Sequence, residues 1–349
     1  MTGRIRFTSW TVGACCALAL ACGGGTPAPP PAAATAPPAP KVLTSAERAD
    51  WYRACWDKYN TKAWDEFKKC YSDSAEADPG DSGRPAARGA DAIIADTRKQ
   101  EAGFPDMRGD LRLVLVNGSN IAGVAVITAT NSEPMPKPDG TTAPATNKKI
   151  GQLFGHAIQT DDTGSKVTKE FQYFDSGTLM AQLGLVKMPS RPAMVAGNAP
   201  PTVVVATGSA VETANVAAEQ KSIEDWNAHN AAALGAGIAD DVVWHEAPLP
   251  ADLDKKGLMA SVKEFWKGIS NVKMTAAAVW AAGDYVVLQG AVEGVNDGNI
   301  PAMGVKKTGK PVKLHFLEID RFEGGKLKEG WLFYDGGAMM QQLTSKATP

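Results

Sequence analysis

Lys166-Val-Thr-Lys-Glu-Phe171-Gln-Tyr173-Phe-Asp175-Ser-Gly177-Thr-Leu-Met180-Ala-Gln182-Leu183 lies without a gap over Lys326-Leu-Lys-Glu-Gly-Trp331-Leu-Phe333-Tyr-Asp335-Gly-Gly337-Ala-Met-Met340-Gln-Gln342-Leu343. Lys, Asp, Gly, Met, Gln and Leu coincide, and aromatics face aromatics at three further positions. Just upstream, Gly164 and Gly324 mark matching turns, and His156 meets His315 if one turn residue is inserted. At the other end of each half, Trp56-Asp-Lys-Tyr59-Asn60 lies over Trp226-Asn-Ala-His229-Asn230. A similar shift at both ends, roughly 160–170 residues, reads as a duplication.

Each half predicts the same order of elements. An amphipathic helix comes first (45–59; 214–229), then a short helix N-capped by Asn60 or Asn230. A polar strand (71–78; 242–246) and a third helix (90–101; 256–269) follow. The remainder is a run of long strands, at 110–116, 121–130, 152–160 and 166–174 in the first half and at 273–281, 285–293, 312–322 and 326–334 in the second. A short helix closes each half. Turns such as Asn117-Gly-Ser-Asn separate the strands, and the first half carries a long Pro/Thr/Lys loop over 130–149. Helices first and an antiparallel meander afterwards argue for an α+β fold with helices on one face of a curved sheet. The expected domains are 44–186 and 211–345. Residues 187–210 form a linker whose Val203-Val-Val-Ala is apolar enough to dock.

The N-terminus reads as an address. Arg4 and Arg6 precede an apolar stretch too short to span a bilayer, so residues 1–21 are expected to be a signal peptide. It ends Leu18-Ala-Leu-Ala-Cys22-Gly, which resembles the bacterial lipobox with Cys22 as the lipidated residue, although Ala19 stands where leucine is usual. The other reading is a plain secretory signal cut near Ala21. Residues 22–43 are a Pro/Ala-rich tether that cannot bury a core. The expected location is the cell envelope, lipid-anchored, with outer-membrane sorting facing the periplasm or the cell surface. An oxidising compartment makes a Cys55–Cys70 disulfide plausible, the alternative being two buried thiols.

Gly89-Ala-Asp-Ala-Ile-Ile, Phe104-Pro-Asp-Met and Phe171…Asp175…Leu179-Met-Ala-Gln-Leu-Gly184 stand in the first half. Asp240-Asp-Val-Val-Trp-His, Lys256-Gly-Leu, Phe322-Glu-Gly-Gly-Lys-Leu and Trp331…Asp335 stand in the second. Together they resemble the SnoaL-like branch of the NTF2-like superfamily, which includes polyketide ester cyclases. The resemblance implies two cone-shaped domains, each a bent sheet wrapped around helices and an apolar pocket, with cones often paired through their sheet faces. Here the pair would be an intramolecular pseudo-dimer.

The resemblance also implies an acid/base aspartate at the end of the last strand, which would be Asp335 or Asp175. The other reading of both is a helix N-cap. Phe171 and Tyr173, like Trp331 and Phe333, share a strand face with these aspartates and are expected to line the pocket, together with Tyr59 and His245. His315 and His229 are candidate proton-transfer partners, and three histidines in the second half make it the expected active half. His229, His245, Glu246 and His315 show no tight ligand spacing, so no metal is expected, and no cofactor motif is present.

Net charge is −2, which gives no field for nucleic acid. Three readings remain: a binding module for a small apolar or amphipathic ligand, a lyase or isomerase of the ester cyclase type, or a non-catalytic protein-interaction lipoprotein.

Overall fold

The computed structural model describes residues 41–81, 84–136 and 141–345. The signal peptide, Cys22 and the tether up to residue 40 lie outside the described residues. Among the described residues, no helix is long and apolar enough to cross a membrane.

The first half runs α1 (Ser45–Asn60), α2 (Trp64–Lys68), β1 (Tyr71–Asp78), β2 (Ala87–Arg88), α3 (Ala90–Gln100), β3 (Arg108–Asn117), β4 (Asn120–Thr130), β5 (Met135–Pro136), β6 (Thr142–Ala143), β7 (Lys149–Thr160), β8 (Val167–Tyr173) and α4 (Ser176–Gln182). After β9 (Thr202–Val205), the second half runs α5 (Ala210–Asn227), α6 (Ala231–Ala236), β10 (Ile238–Glu246), α7 (Lys255–Gly268), β11 (Ser270–Ala282), β12 (Tyr285–Val295), β13 (Pro311–Glu323), β14 (Lys326–Phe333) and α8 (Gly336–Thr344).

The halves share one topology. The strand orders β1-β8-β7-β4-β3 and β10-β14-β13-β12-β11 are equivalent, with the first pair parallel and the rest antiparallel. Register breaks fall at matching places, between Leu111 and Leu113 in one sheet and between Ala276 and Ala278 in the other. Such bulges bend a strand and increase its twist, so each sheet curls over its helices as a cone.

Local chemistry repeats as well. Thr44 with Glu47 and Ser209 with Glu212 form capping boxes at the first helix of each half, a device that satisfies two orphan N–H groups at once. Buried Asn131 donates to the carbonyls of Gly103 and Glu133 and accepts from Thr146. Buried Asn296 donates to those of Gly268 and Gly298 and accepts from Thr308. The loop over 130–149, read as peculiar to the first half, therefore has a counterpart with the same clamp.

Asn230 caps α6 through the N–H of Ala233. Asn60 does not cap α2; its amide bonds both the N–H and the carbonyl of Gly109, pinning the end of α1 to β3. Cys55 on α1 and Cys70 before β1 are joined as a disulfide. The 187–210 segment is more than a linker: β9 adds a parallel strand at the free edge of β3, and Met194 bonds the backbone of Gly151.

Both faces of the central strands are covered. On β4, Ile121, Ala125 and Ile127 join the helices in the first cone's core. The alternate residues Ala122, Val124 and Val126 join a second core that crosses to Val287, Leu317, Ile319 and Phe333 of the other sheet. The two sheets pack back to back, and removing apolar area from water at roughly 25 cal/mol per Å² drives that contact as it drives each cone's own core. Asn117 donates to the carbonyl of Ala281, and Gln289 donates to the Tyr173 hydroxyl across the same boundary.

Candidate functional site: two internal cavities

Each cone is hollow. The first encloses a cavity of about 440 Å³, walled by Trp51, Trp56, Tyr59, Phe154 and neighbours. The second encloses about 360 Å³, walled by Trp226, Trp244, Phe265, Phe316 and neighbours.

One connected polar network in the first cavity is built around His156. His156 on β7 meets the Tyr52 hydroxyl at 2.7 Å through Nδ1 and Glu170 at 2.8 Å through Nε2. Glu170 also accepts from Tyr71 at 2.9 Å and from Gln172 at 3.0 Å. Burial alone would raise the Glu170 carboxyl, but its bonds to His156, Gln172 and Tyr71 outweigh that and hold it below the usual carboxylate range. An ionised Glu170 can only accept, so Nε2 donates to it. Burial pushes the Tyr52 and Tyr71 hydroxyls up, so both stay protonated. Gly123 lies opposite His156, and a Cβ there would stand 3.0 Å from the Tyr52 hydroxyl.

The second cavity is acidic instead. Glu219 on α5 and Glu318 and Asp320 on β13 bring carboxylate oxygens within 4.8 Å of one another. Burial, and then the neighbouring carboxyls, push Glu318 up to about 8 and Asp320 well above its usual range. Burial moves Glu219 to about 7. Glu246 accepts from the Tyr334 hydroxyl at 2.7 Å and from the Trp244 indole at 3.2 Å, and burial raises its carboxyl too.

Strand register shows how the halves diverged. His156 pairs with Gln172, one residue before Tyr173, and Glu318 pairs with Leu332, one before Phe333. The counterpart of His156 is therefore Glu318, not His315. Likewise Glu170 answers to Gly330, each paired on the edge side with Ala77 and Trp244 respectively. A Cβ on Gly330 would lie 2.4 Å from the Trp244 ring, which fills the space that Glu170 takes in the first cone.

The aspartates expected to do acid/base work are elsewhere. Asp175 and Asp335 are buried N-caps of α4 and α8 at the boundary between the halves, and neither lines a cavity. Phe171, Tyr173, Trp331 and Phe333 lie on the opposite strand face, in the core between the sheets. The residues that reach the cavities are their alternates: Glu170, Gln172 and Phe174 in the first cone, Leu332 and Tyr334 in the second. A one-residue shift of face moves a strand's whole side-chain set.

His315 is exposed and bonds Asp81 of the other half at 2.7 Å, which raises its pKa. His229, at φ 54°, is exposed and stacks on Trp266 outside the cavity lining. His245 stacks on Trp331 and bonds Asp252 and Glu329. Burial lowers its pKa, but those two carboxylates outweigh it and the net shift is upward. Of the residues expected to line a pocket, Tyr59 does so.

The second half, expected to be active for its histidines, has no histidine at its cavity. Sequence reasoning missed His156–Glu170 and the three acids. The one available signal was the apolar run of β4 on both faces, which leaves no solvent side for polar residues on neighbouring strands.

Residues 217–343 match the family of SnoaL-like polyketide cyclases. Solved structures similar to one cone include a candidate SnoaL-like polyketide cyclase from Jannaschia sp. CCS1, at 20% identity over 40% of this chain and 96% of that one, with a TM-score of 0.37. A candidate polyketide cyclase from Acidithiobacillus ferrooxidans is 24% identical over 40% of this chain and 99% of its own, TM-score 0.33. An NTF2-like protein from Burkholderia pseudomallei K96243 is 17% identical over 38% and 98%, TM-score 0.33. No curated protein matches the chain.

Proposed function

We propose that the chain is an envelope lipoprotein, anchored through Cys22, whose two duplicated NTF2-like cones bind small apolar or amphipathic ligands. The carrying observation is that both cones keep an apolar-walled cavity with a small polar cluster inside, the composition of a small-molecule site. Two features weigh against the rival readings. His156 is held at both ring nitrogens by Tyr52 and Glu170, and the capping aspartates that the ester cyclase reading would use as acid and base face no cavity. The sheet faces that a protein-interaction module would present are buried against each other.

Native mass spectrometry of the chain isolated from its own envelope tests the binding reading. A retained small molecule that leaves on denaturation supports it, and a bare mass together with no uptake of apolar probes would defeat it. Metabolic labelling with palmitate tests the anchor. Label should enter the wild type and be lost from Cys22→Ala, and equal labelling of the two would refute anchoring at Cys22.

A further inference from the structure

The acids of the second cavity have no basic partner among them. Lys221 also lines the cavity, but its ammonium is 2.5 Å from Asp225 and engaged there. Asp320 is 3% exposed, and its Oδ1 accepts no hydrogen bond from any described donor. A buried acid oxygen without a donor costs on the order of 1–3 kcal/mol, and the side-chain hydrogen bonds of Asp320 run to Glu318 and Glu219, acids like itself. Much of the remaining wall is aromatic and aliphatic, Trp226, Trp244, Phe265 and Phe316 among its members.

We propose that the second cavity is an amine site: the ammonium group of an amphipathic ligand seats among Glu219, Glu318 and Asp320, and its apolar body lies along Trp244, Phe265 and Phe316. An ammonium has three donors and no acceptor, which matches three converging carboxyl groups. Charge-assisted N–H···O bonds of about 2.8 Å in a tetrahedral array set the acceptors about 4.6 Å apart, a spacing within that of the three oxygens. A divalent ion would also fit oxygens within that limit, but it would gain nothing from the aromatic wall. Aromatic faces favour a cation beside them.

The raised pKa values mean that the empty cluster holds protons near neutrality, so an entering ammonium displaces them. Glu246 and Glu264 also line the cavity, and Glu246 is committed to Tyr334 and Trp244. The first cone, with His156 and Glu170 at the matching level, offers no such acidic tripod, so the two cones would take ligands of different charge.

This inference rests on the binding reading above, and calorimetric titration of the full-length chain with 1-octylamine and with the neutral, one-carbon-longer alcohol 1-nonanol separates the two. Octylamine should bind at least about tenfold more tightly than nonanol and release protons to the buffer. Glu318→Gln and Asp320→Asn should each weaken octylamine at least about tenfold while leaving nonanol within about twofold, which also shows that the variants fold. Equal binding of the two probes overturns the amine site and leaves the cavity reading standing. Binding of neither overturns both. Octylamine affinity unchanged in both variants places the amine elsewhere and overturns the assignment. Manganese bound in a Glu318- and Asp320-dependent way, with no octylamine preference, replaces it with a metal centre.

Discussion

Asp175 and Asp335 each accept a backbone N–H from the other's helix. Asp175 Oδ1 receives Gly337 N–H at 3.1 Å while the same carboxylate caps α4 through Gly177 and Thr178. Asp335 Oδ1 receives Ser176 N–H at 3.1 Å and its hydroxyl at 2.6 Å while capping α8 through Ala338. The strand-end aspartate of each half is thus a clasp between halves. Asp335→Ala should cost about 2–4 kcal/mol, one cap plus the N–H and hydroxyl left unpaired. Asp335→Asn should cost much less and leave ligand binding intact. Urea denaturation with ligand titration checks both, and an Asn variant that folds normally but loses binding would overturn the clasp account.

Gly155 on β7 faces the other sheet so closely that a Cβ there would lie 2.7 Å from the Phe333 ring and 2.9 Å from Leu317. Gly155→Val should strain the boundary by about 1–3 kcal/mol or more. Differential scanning calorimetry should then resolve two transitions where the wild type shows greater cooperativity. A single unshifted transition would mean that the halves do not stabilise each other through this contact.

His156→Ala should destabilise the first cone by about 3 kcal/mol or more at pH 7, because it strands the buried Glu170 carboxylate. The wild-type Glu170 is depressed, so its contribution is present above the unfolded value and lost only as pH falls below about 4.3. In the variant, burial acts without its main opponent and Glu170 titrates higher. The deficit should therefore shrink on going from pH 7 to pH 4, measured by urea midpoints. A deficit independent of pH would assign His156 a packing role only.

The second cone should behave oppositely in the absence of ligand. Glu219 and Glu318 are raised to about 7 and about 8, so the folded state binds more protons than the unfolded one between about pH 4.5 and 8. Stability is full below the unfolded carboxyl value and falls as pH rises through that window, by an amount on the order of 2 kcal/mol or more. Glu318→Gln should flatten the fall and raise the Tm at pH 8. An equally steep fall in the variant would show that the acids do not couple.

Much of the fold was legible because it depends on local chemistry. Tyr71–Asp78, the long strands and the closing helices emerged from periodicity and turn residues, since hydrogen-bonded elements are set by neighbours in the chain. Thr44-x-x-Glu47 and Ser209-x-x-Glu212 were present in the sequence as helix-start signals and passed unread. The second Asn clamp was equally present, but its partners Gly268 and Thr308 are joined only through the loop's folded path.

By itself, the sequence determined the element order, the α+β class and the repetition of one unit. Only the tertiary structure decided which strand face meets the cavity. Alternation assigns faces when one side of a sheet sees water, and here the back-to-back packing of two sheets buries both. Phe171, Tyr173, Trp331 and Phe333 consequently fill the space between sheets. Glu170, Glu318 and Asp320 stand on the alternate strand face and therefore turn to the cavities.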